Sequence, residues 1–134
     1  MACGNRIPDT KDIDNLFLFA RAAGIPKLIY SFRLLETNSS LNYAATNAAI
    51  AKYIWTHYRA ALDCFAIGNE PDKKDVFAHD FAITNFSSYL QKWRAFAAAI
   101  TNAVPEAKFC GPDATSGASP WTTGVLRLTM HCAR

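Results

Sequence analysis

The chain has 134 residues, about half of them apolar and 19% charged, which is the composition of a globular domain rather than of a disordered segment. Its net charge of +3 is small and its basic residues are scattered, which argues against nucleic acid or a charged membrane surface as a partner. No apolar run approaches the length of a membrane span, and the first residues lack the apolar core of a signal peptide. We therefore expect no nucleic-acid partner, no membrane span and no signal peptide in this sequence.

The first predicted element is a helix that begins after Asp9 or Thr10, either of which can cap it, and that ends at Gly24. Residues 27–35 then form a short apolar run with β-branched and aromatic members, which predicts a buried strand. Polar residues 36–40 predict a loop. In the first helix, the apolar residues recur at intervals of three and four: Ile13, Leu16, Phe17, Ala20 and Ala23.

A second helix is predicted from a cap at Ser39 or Ser40 to about Leu62, and a second strand over residues 63–68. Six mostly apolar and aromatic residues are predicted to share one face of this helix: Ile50, Tyr53, Ile54, His57, Tyr58 and Ala61.

A third helix is predicted between the loop that contains Pro71 and the break at Pro105. Residues 107–111 predict a third strand and residues 125–130 a fourth. The apolar residues of the third helix repeat with a clear helical period: Phe86, Tyr89, Leu90, Trp93, Phe96, Ala97 and Ile100.

Helices and strands alternate in units of roughly 35 to 45 residues, which predicts an α/β fold with a parallel sheet. Right-handed crossovers place the carboxyl ends of all strands of such a sheet at one edge, and that edge carries the functional site. The residues that follow Leu35, Gly68, Gly111 and Met130 are therefore the candidates for chemistry.

The segment Gly68-Asn69-Glu70-Pro71 places an amide and a carboxyl directly after the second strand. A rigidly held carboxylic acid is what glycoside hydrolysis needs to protonate the leaving oxygen, and Glu70 suits that role. The amide of Asn69 both donates and accepts, so it can hold a sugar hydroxyl near the reacting carbon. The alternative is that Asn69 and Glu70 simply cap the next helix.

This motif resembles the acid/base motif at the end of the fourth barrel strand of clan A glycoside hydrolases. Residues 67–72, the helix with Trp93 and residues 109–113 look most like family 79, the β-glucuronidase and heparanase group, over about residues 12–118. The resemblance implies that residues 1–134 are part of a (β/α)8 TIM barrel, about strands three to six with their helices. Glu70 would then be the acid/base and Asn69 its sugar-hydroxyl partner, with the nucleophilic Glu beyond Arg134.

Leu128-Thr129-Met130-His131 resembles the sixth strand of that family, where a His and aromatic residues lie near the sugar. The chain departs from the family here, because Cys132 and Ala133 stand where Tyr is expected. The short spacing between Trp121 and His131 leaves no room for a full fifth helix. We therefore expect an aberrant carboxyl-terminal end, and His131 is either a sugar-site residue or an ordinary strand-end histidine.

Further candidates are Glu36 and Asp113 at other strand ends, which either approach Glu70 or are solvated loop charges; Asp113 is favoured as a substrate-pocket residue. Trp121 is a candidate for stacking on a sugar, or for local packing beside Pro120. Trp55 and Trp93 are interpreted as packing residues. No His or Cys spacing typical of a zinc site occurs and no cofactor is implied. The four cysteines, Cys3, Cys64, Cys110 and Cys132, suggest neither a pairing nor a compartment.

The resemblance implies a retaining glycosidase, β-glucuronidase-like, that acts on glucuronide-bearing glycans and is secreted as a full-length protein. The 134-residue chain would itself be nearly inactive, because it carries one of the two carboxylates. Two alternatives stay open: a truncated, catalytically inactive product that at most binds carbohydrate, and another clan A specificity such as cellulase, mannanase or xylanase.

Overall fold

A computed structural model describes residues 7–34, 41–72, 85–111 and 113 of the chain. Helices and strands alternate along this part, and a turn of 3-10 helix, Arg59–Ala61, precedes the second strand. The elements are the helices α1 (Thr10–Ala22), α2 (Tyr43–Tyr58) and α3 (Phe86–Ala103) and the strands β1 (Leu28–Phe32) and β2 (Leu62–Ile67).

The two strands pair in parallel, with Leu28 opposite Leu62 and Phe32 opposite Ile67. Phe109 forms a parallel bridge to Phe65, so its segment lies on the side of β2 away from β1. The described residues thus form an α/β arrangement with β2 in the middle and all strand directions alike. A closed eight-stranded barrel stays a prediction.

Helix α1 begins and ends as its sequence predicts. Asp9 and Asp12 form a reciprocal capping box, each carboxylate accepting the other's backbone N–H at 3.0 and 2.9 Å. Gly24 follows the helix with a φ of +71°. The buried stripe is Ile13, Phe17 and Ala20. Leu16, which belongs to the same apolar repeat, lies at the margin of this stripe and is 41% exposed.

Helix α2 differs from the prediction at both ends. Its cap is Asn42, whose side chain accepts the Ala45 N–H at 3.0 Å, rather than Ser39 or Ser40. The helix ends at Tyr58, and Leu62 already belongs to β2. Of the residues predicted to share one face, Ile54 is buried whereas His57 is exposed. The buried residues of α2 are Tyr43, Asn47, Ala51 and Ile54.

Helix α2 makes its most extensive helix contact with α3. The buried Asn47 of α2 donates its side-chain N–H to the Arg33 carbonyl at 3.0 Å, so this side of the helix also meets the end of β1. Helix α3 buries the stripe that its sequence predicts: Tyr89, Phe96, Ala97 and Ile100.

The two tryptophans predicted to pack are half-buried against the core. The Arg59 guanidinium lies 4.7 Å above the Trp55 ring, and Trp93 meets Phe109 edge-on with ring centroids 5.6 Å apart. Among the described helices, none is long and apolar enough to span a membrane.

Strand β1 was predicted to be buried, and this is wrong for one of its faces. Phe32 is buried and Tyr30 packs against the helical core, whereas Ile29 is 60% exposed and Ser31 is exposed. Cys64 and Ala66 of β2, which are in register with Ile29 and Ser31, are buried, as is most of β2.

Candidate functional site

The candidate site is the turn that follows β2, which contains the motif singled out in the sequence. Gly68 has a φ of +91° and Glu70 a φ of +46°. A left-handed conformation at a residue other than glycine costs roughly 1–2 kcal/mol and is frequent at functional sites. Pro71 is fully buried, whereas Asn69 is exposed and Glu70 half-buried. The backbone is thus anchored on both sides of Glu70.

Hydrogen bonds from both neighbouring segments hold this turn. The Gly68 N–H donates to the Phe32 carbonyl at 2.9 Å, and the Ser31 hydroxyl donates to the Gly68 carbonyl at 2.9 Å. From the other side, the Glu70 N–H donates to the Asp113 carbonyl at 2.7 Å. The ends of three successive segments therefore meet at Glu70.

Asp113 itself adopts a left-handed conformation, with a φ of +57°. Its carbonyl, rather than its side chain, makes the hydrogen bond to Glu70. The Asp113 charge also acts on Tyr89: burial raises the pKa of the Tyr89 hydroxyl, and Asp113 raises it further. Tyr89 was predicted only as a core residue of α3, because a helical period does not distinguish packing from proximity to a site.

The structure joins Cys64 and Cys110 in a disulfide, a pairing that the sequence left open. Their Cα atoms are 5.9 Å apart, within the range typical of disulfides. Cys64 lies in β2 and Cys110 in the segment that bridges to it through Phe109. The bond therefore cross-links the two segments that meet at Glu70.

Three of the predicted site residues, Asn69, Glu70 and Asp113, lie together at this edge of the sheet. The other candidates, Glu36, Trp121 and His131, lie outside the described residues. No group of three or more metal-binding side chains occurs within the described ranges. Ser31, Cys64 and Cys110 take part in the local geometry although the sequence marked none of them.

Two of the cavities bordered by described residues include neither Asn69 nor Glu70 in their linings. One, of about 220 Å³, borders β1 and includes Ser31, Tyr43 and Asn47 in its lining. The other, of about 470 Å³, lies between the end of α1 and the end of α2, beside Tyr58. Because the carboxyl chemistry lies at the strand ends, we place the candidate site there.

No protein-family model matches this chain, and no curated protein matches it. The resemblance to family 79 glycosidases therefore stays a prediction, which rests on the motif around Glu70.

Gly68 is needed at its position for two separate reasons, its left-handed backbone and its contact with Leu34. A Cβ atom at Gly68 would lie 3.1 Å from Leu34 Cδ2, and Leu34 is itself only 3% exposed. We expect Gly68→Ala to lower the free energy of unfolding by about 1–3 kcal/mol. Gly24→Ala is the matched control: its φ is also positive, but nothing lies within 4 Å of the added atom.

Urea unfolding followed by circular dichroism would measure both variants. We expect Gly24→Ala to lower the free energy of unfolding less than Gly68→Ala does, because only Gly68→Ala adds a steric contact to the backbone strain. Equal losses would show that Leu34 accommodates the methyl group.

A second cluster of polar side chains lies apart from the Glu70 turn and joins α1 to α2. Asp14 Oδ1 accepts hydrogen bonds from the Tyr53 hydroxyl at 2.9 Å and the Tyr58 hydroxyl at 2.6 Å. The Phe17 ring stacks on Tyr58 with centroids 4.5 Å apart. The hydrogen bond to Asp14 is the main cause that raises the pKa of Tyr58 to about 12.

We expect Asp14→Asn to lower the pKa of Tyr58 from about 12 toward the ordinary value of about 10. The folded state favours the protonated hydroxyl, so its contribution to stability is complete below about pH 10 and is lost as the pH rises toward 12. Titration of the tyrosine Cζ resonances by NMR would measure the shift. Asp63→Asn, at an exposed position of β2, is the control; a Tyr58 pKa still near 12 in Asp14→Asn would contradict the assignment.

Proposed function

We propose that the protein is a retaining glycoside hydrolase, similar to the β-glucuronidases of family 79, with Glu70 as its acid/base residue. The observation that carries the proposal is the position of Glu70: it directly follows a parallel strand and is held from both sides by the ends of neighbouring segments. Active sites of α/β enzymes are built at this edge, from residues at the ends of several strands.

The turn suits a general acid because it fixes the backbone that carries the carboxyl. A general acid must come within hydrogen-bond distance of the oxygen that it protonates. The hydrogen bond from the Glu70 N–H to Asp113 and the buried Pro71 restrict the conformations of Glu70 in advance. Less entropy is then lost when the carboxyl reaches the glycosidic oxygen.

Asn69 is proposed to bind a hydroxyl of the sugar whose bond is cleaved. It is exposed at the same edge, one residue before Glu70, and its amide can donate and accept at once. Asp113 would border the same substrate pocket, since its backbone already contacts Glu70. In a retaining mechanism a second carboxylate, about 5–5.5 Å from Glu70, attacks the anomeric carbon, and water then releases the sugar with Glu70 as base.

The disulfide supports the proposal that the protein is secreted. Disulfides persist in oxidising compartments and are rare where thiols are kept reduced. The Cys64–Cys110 bond is built between neighbouring segments of the core sheet, which is the position of a structural disulfide.

The test is hydrolysis of p-nitrophenyl β-D-glucuronide by the 134-residue chain and by a form extended with the flanking genomic sequence. We expect turnover by the extended form, with the β-anomer of glucuronic acid as the first product by proton NMR. Turnover of the β-glucoside, β-mannoside or β-xyloside in place of the glucuronide would assign Glu70 to another clan A specificity. Carbohydrate binding by both forms without hydrolysis of any of the four would favour a non-catalytic protein.

A further inference from the structure

The segment that carries Asp113 is attached to β2 by few backbone hydrogen bonds. Its contact with the strand is an isolated bridge at Phe109 rather than a continuous ladder. Two hydrogen bonds make this bridge: the Phe65 N–H donates to the Lys108 carbonyl at 2.8 Å, and the Cys110 N–H donates to the Phe65 carbonyl at 2.9 Å.

The disulfide adds a covalent link at the same place. Cys110 lies three residues before Asp113, and Cys64 lies on β2 six residues before Glu70. The Glu70–Asp113 hydrogen bond then closes a small ring that runs along β2, through the disulfide and back along residues 110–113. Without the S–S bond, the only covalent connection between the same two residues would run through α3 and the residues that flank it.

How strongly the disulfide restricts the two segments depends on the length of the chain between Cys64 and Cys110. The two cysteines are separated by 46 positions in the chain, so their link greatly restricts the relative positions of the segments. Asp113 also has a left-handed backbone, a conformation that persists only where the surroundings hold it. A tether close to Asp113 meets that requirement.

We propose that Cys64 and Cys110 are positioning residues: their disulfide keeps the Asp113 carbonyl against the Glu70 N–H and thereby holds the acid/base carboxyl in place. The positioning of the turn does not depend on any activity, whereas the effect on catalysis rests on the proposed glycosidase function. Reduction of the disulfide is expected to loosen the turn and lower the rate.

The two cysteines differ in exposure. Cys64 is 8% exposed and Cys110 is half-buried, so Cys110 is the more accessible residue of the two. Dithiothreitol would supply two electrons and two protons: the S–S bond breaks to give two thiols, and the reagent closes to its own cyclic disulfide.

The experiment uses the chain with Cys3→Ser and Cys132→Ser, which leaves Cys64 and Cys110 as the only cysteines. Amide hydrogen exchange measured by NMR compares the Glu70 N–H with the Ile54 N–H, which lies in the middle of α2 and is fully buried. On reduction we expect exchange at Glu70 to accelerate at least tenfold and exchange at Ile54 to change less than twofold. Cys64→Ala/Cys110→Ala should behave as the reduced chain does.

In the active form, reduction is expected to lower kcat at least tenfold with less than a threefold change in KM, and reoxidation should restore kcat. A large change in kcat with a small change in KM is expected because a displaced acid slows the chemical step while the remaining contacts still bind substrate. A structural role alone would lower the amount of folded protein and leave the kcat of the folded fraction unchanged.

Three results would overturn the proposal. The first is unchanged exchange at Glu70 after reduction, and the second is equal acceleration at Glu70 and Ile54, which would mean that the disulfide holds the whole fold. The third is peptide mapping of the unmodified chain that finds Cys64 joined to Cys3 or Cys132. Selective acceleration at Glu70 in a protein that hydrolyses no glycoside would support the positioning role and contradict the proposed function.

Discussion

Glu70→Gln is expected to lower kcat on phenyl β-D-glucuronide by about 10²- to 10⁴-fold in the form of the protein that shows activity. Glutamine keeps the size and shape of the side chain but has no acidic proton to give to the leaving oxygen. The backbone of the turn should be unchanged, since the hydrogen bond to Asp113 uses the Glu70 N–H. Initial rates at saturating substrate would measure the effect.

The leaving group provides an internal check on the acid role of Glu70. p-Nitrophenol is much more acidic than phenol and needs less protonation as it departs. Glu70→Gln should therefore lower the rate of bond cleavage less for the p-nitrophenyl glycoside than for the phenyl glycoside. A loss that is the same for both substrates at the bond-breaking step would indicate a role other than proton donation.

Glu106→Gln is the matched control for this substitution. The Glu106 side chain is 64% exposed and lies 3.5 Å from Arg59. Glu106 precedes the segment that bridges to β2, so it lies at the edge of the sheet opposite to Glu70. We expect its kcat to stay within twofold of the unmodified protein, because exposed ion pairs contribute little. Retention of more than a tenth of kcat in Glu70→Gln on the phenyl substrate would contradict the acid/base assignment.

Phe65→Ala is expected to lower the free energy of unfolding by about 3–5 kcal/mol. Phe65 is fully buried in the middle of β2, and its ring packs against Phe32 with centroids 5.2 Å apart. The substitution removes the apolar ring and leaves a cavity under the sheet, while the backbone hydrogen bonds of residue 65 can persist. Because small domains are stable by only about 5–15 kcal/mol, such a loss is a large part of the total free energy of unfolding.

Phe65→Leu keeps most of the volume and should cost less than about 1.5 kcal/mol. Ile29→Ala on the neighbouring strand is the exposed control and should change the stability by about 0.5 kcal/mol or less. Urea unfolding followed by circular dichroism would compare the three. A loss for Phe65→Ala no larger than for Ile29→Ala would show that Phe65 is not central to the core.

The sequence by itself determined the features that depend on neighbouring residues. Asp9 and Gly24 mark the ends of α1, and the apolar repeat of α3 predicts its buried stripe, because caps and helical periods act over a few positions. The position of Glu70 immediately after a strand also follows from the local pattern, and it led to the proposed function.

Only the tertiary structure decided the features that join distant parts of the chain. The pairing of Cys64 with Cys110 was one of several that four cysteines allow, and it required the bridge between Phe65 and Phe109. Which residues of α2 are buried, and that Ile29 of β1 is exposed, depended on the elements that pack against them. The left-handed backbone of Glu70 and its hydrogen bond to Asp113 likewise arise from segments far apart in sequence, whose contact no local propensity encodes.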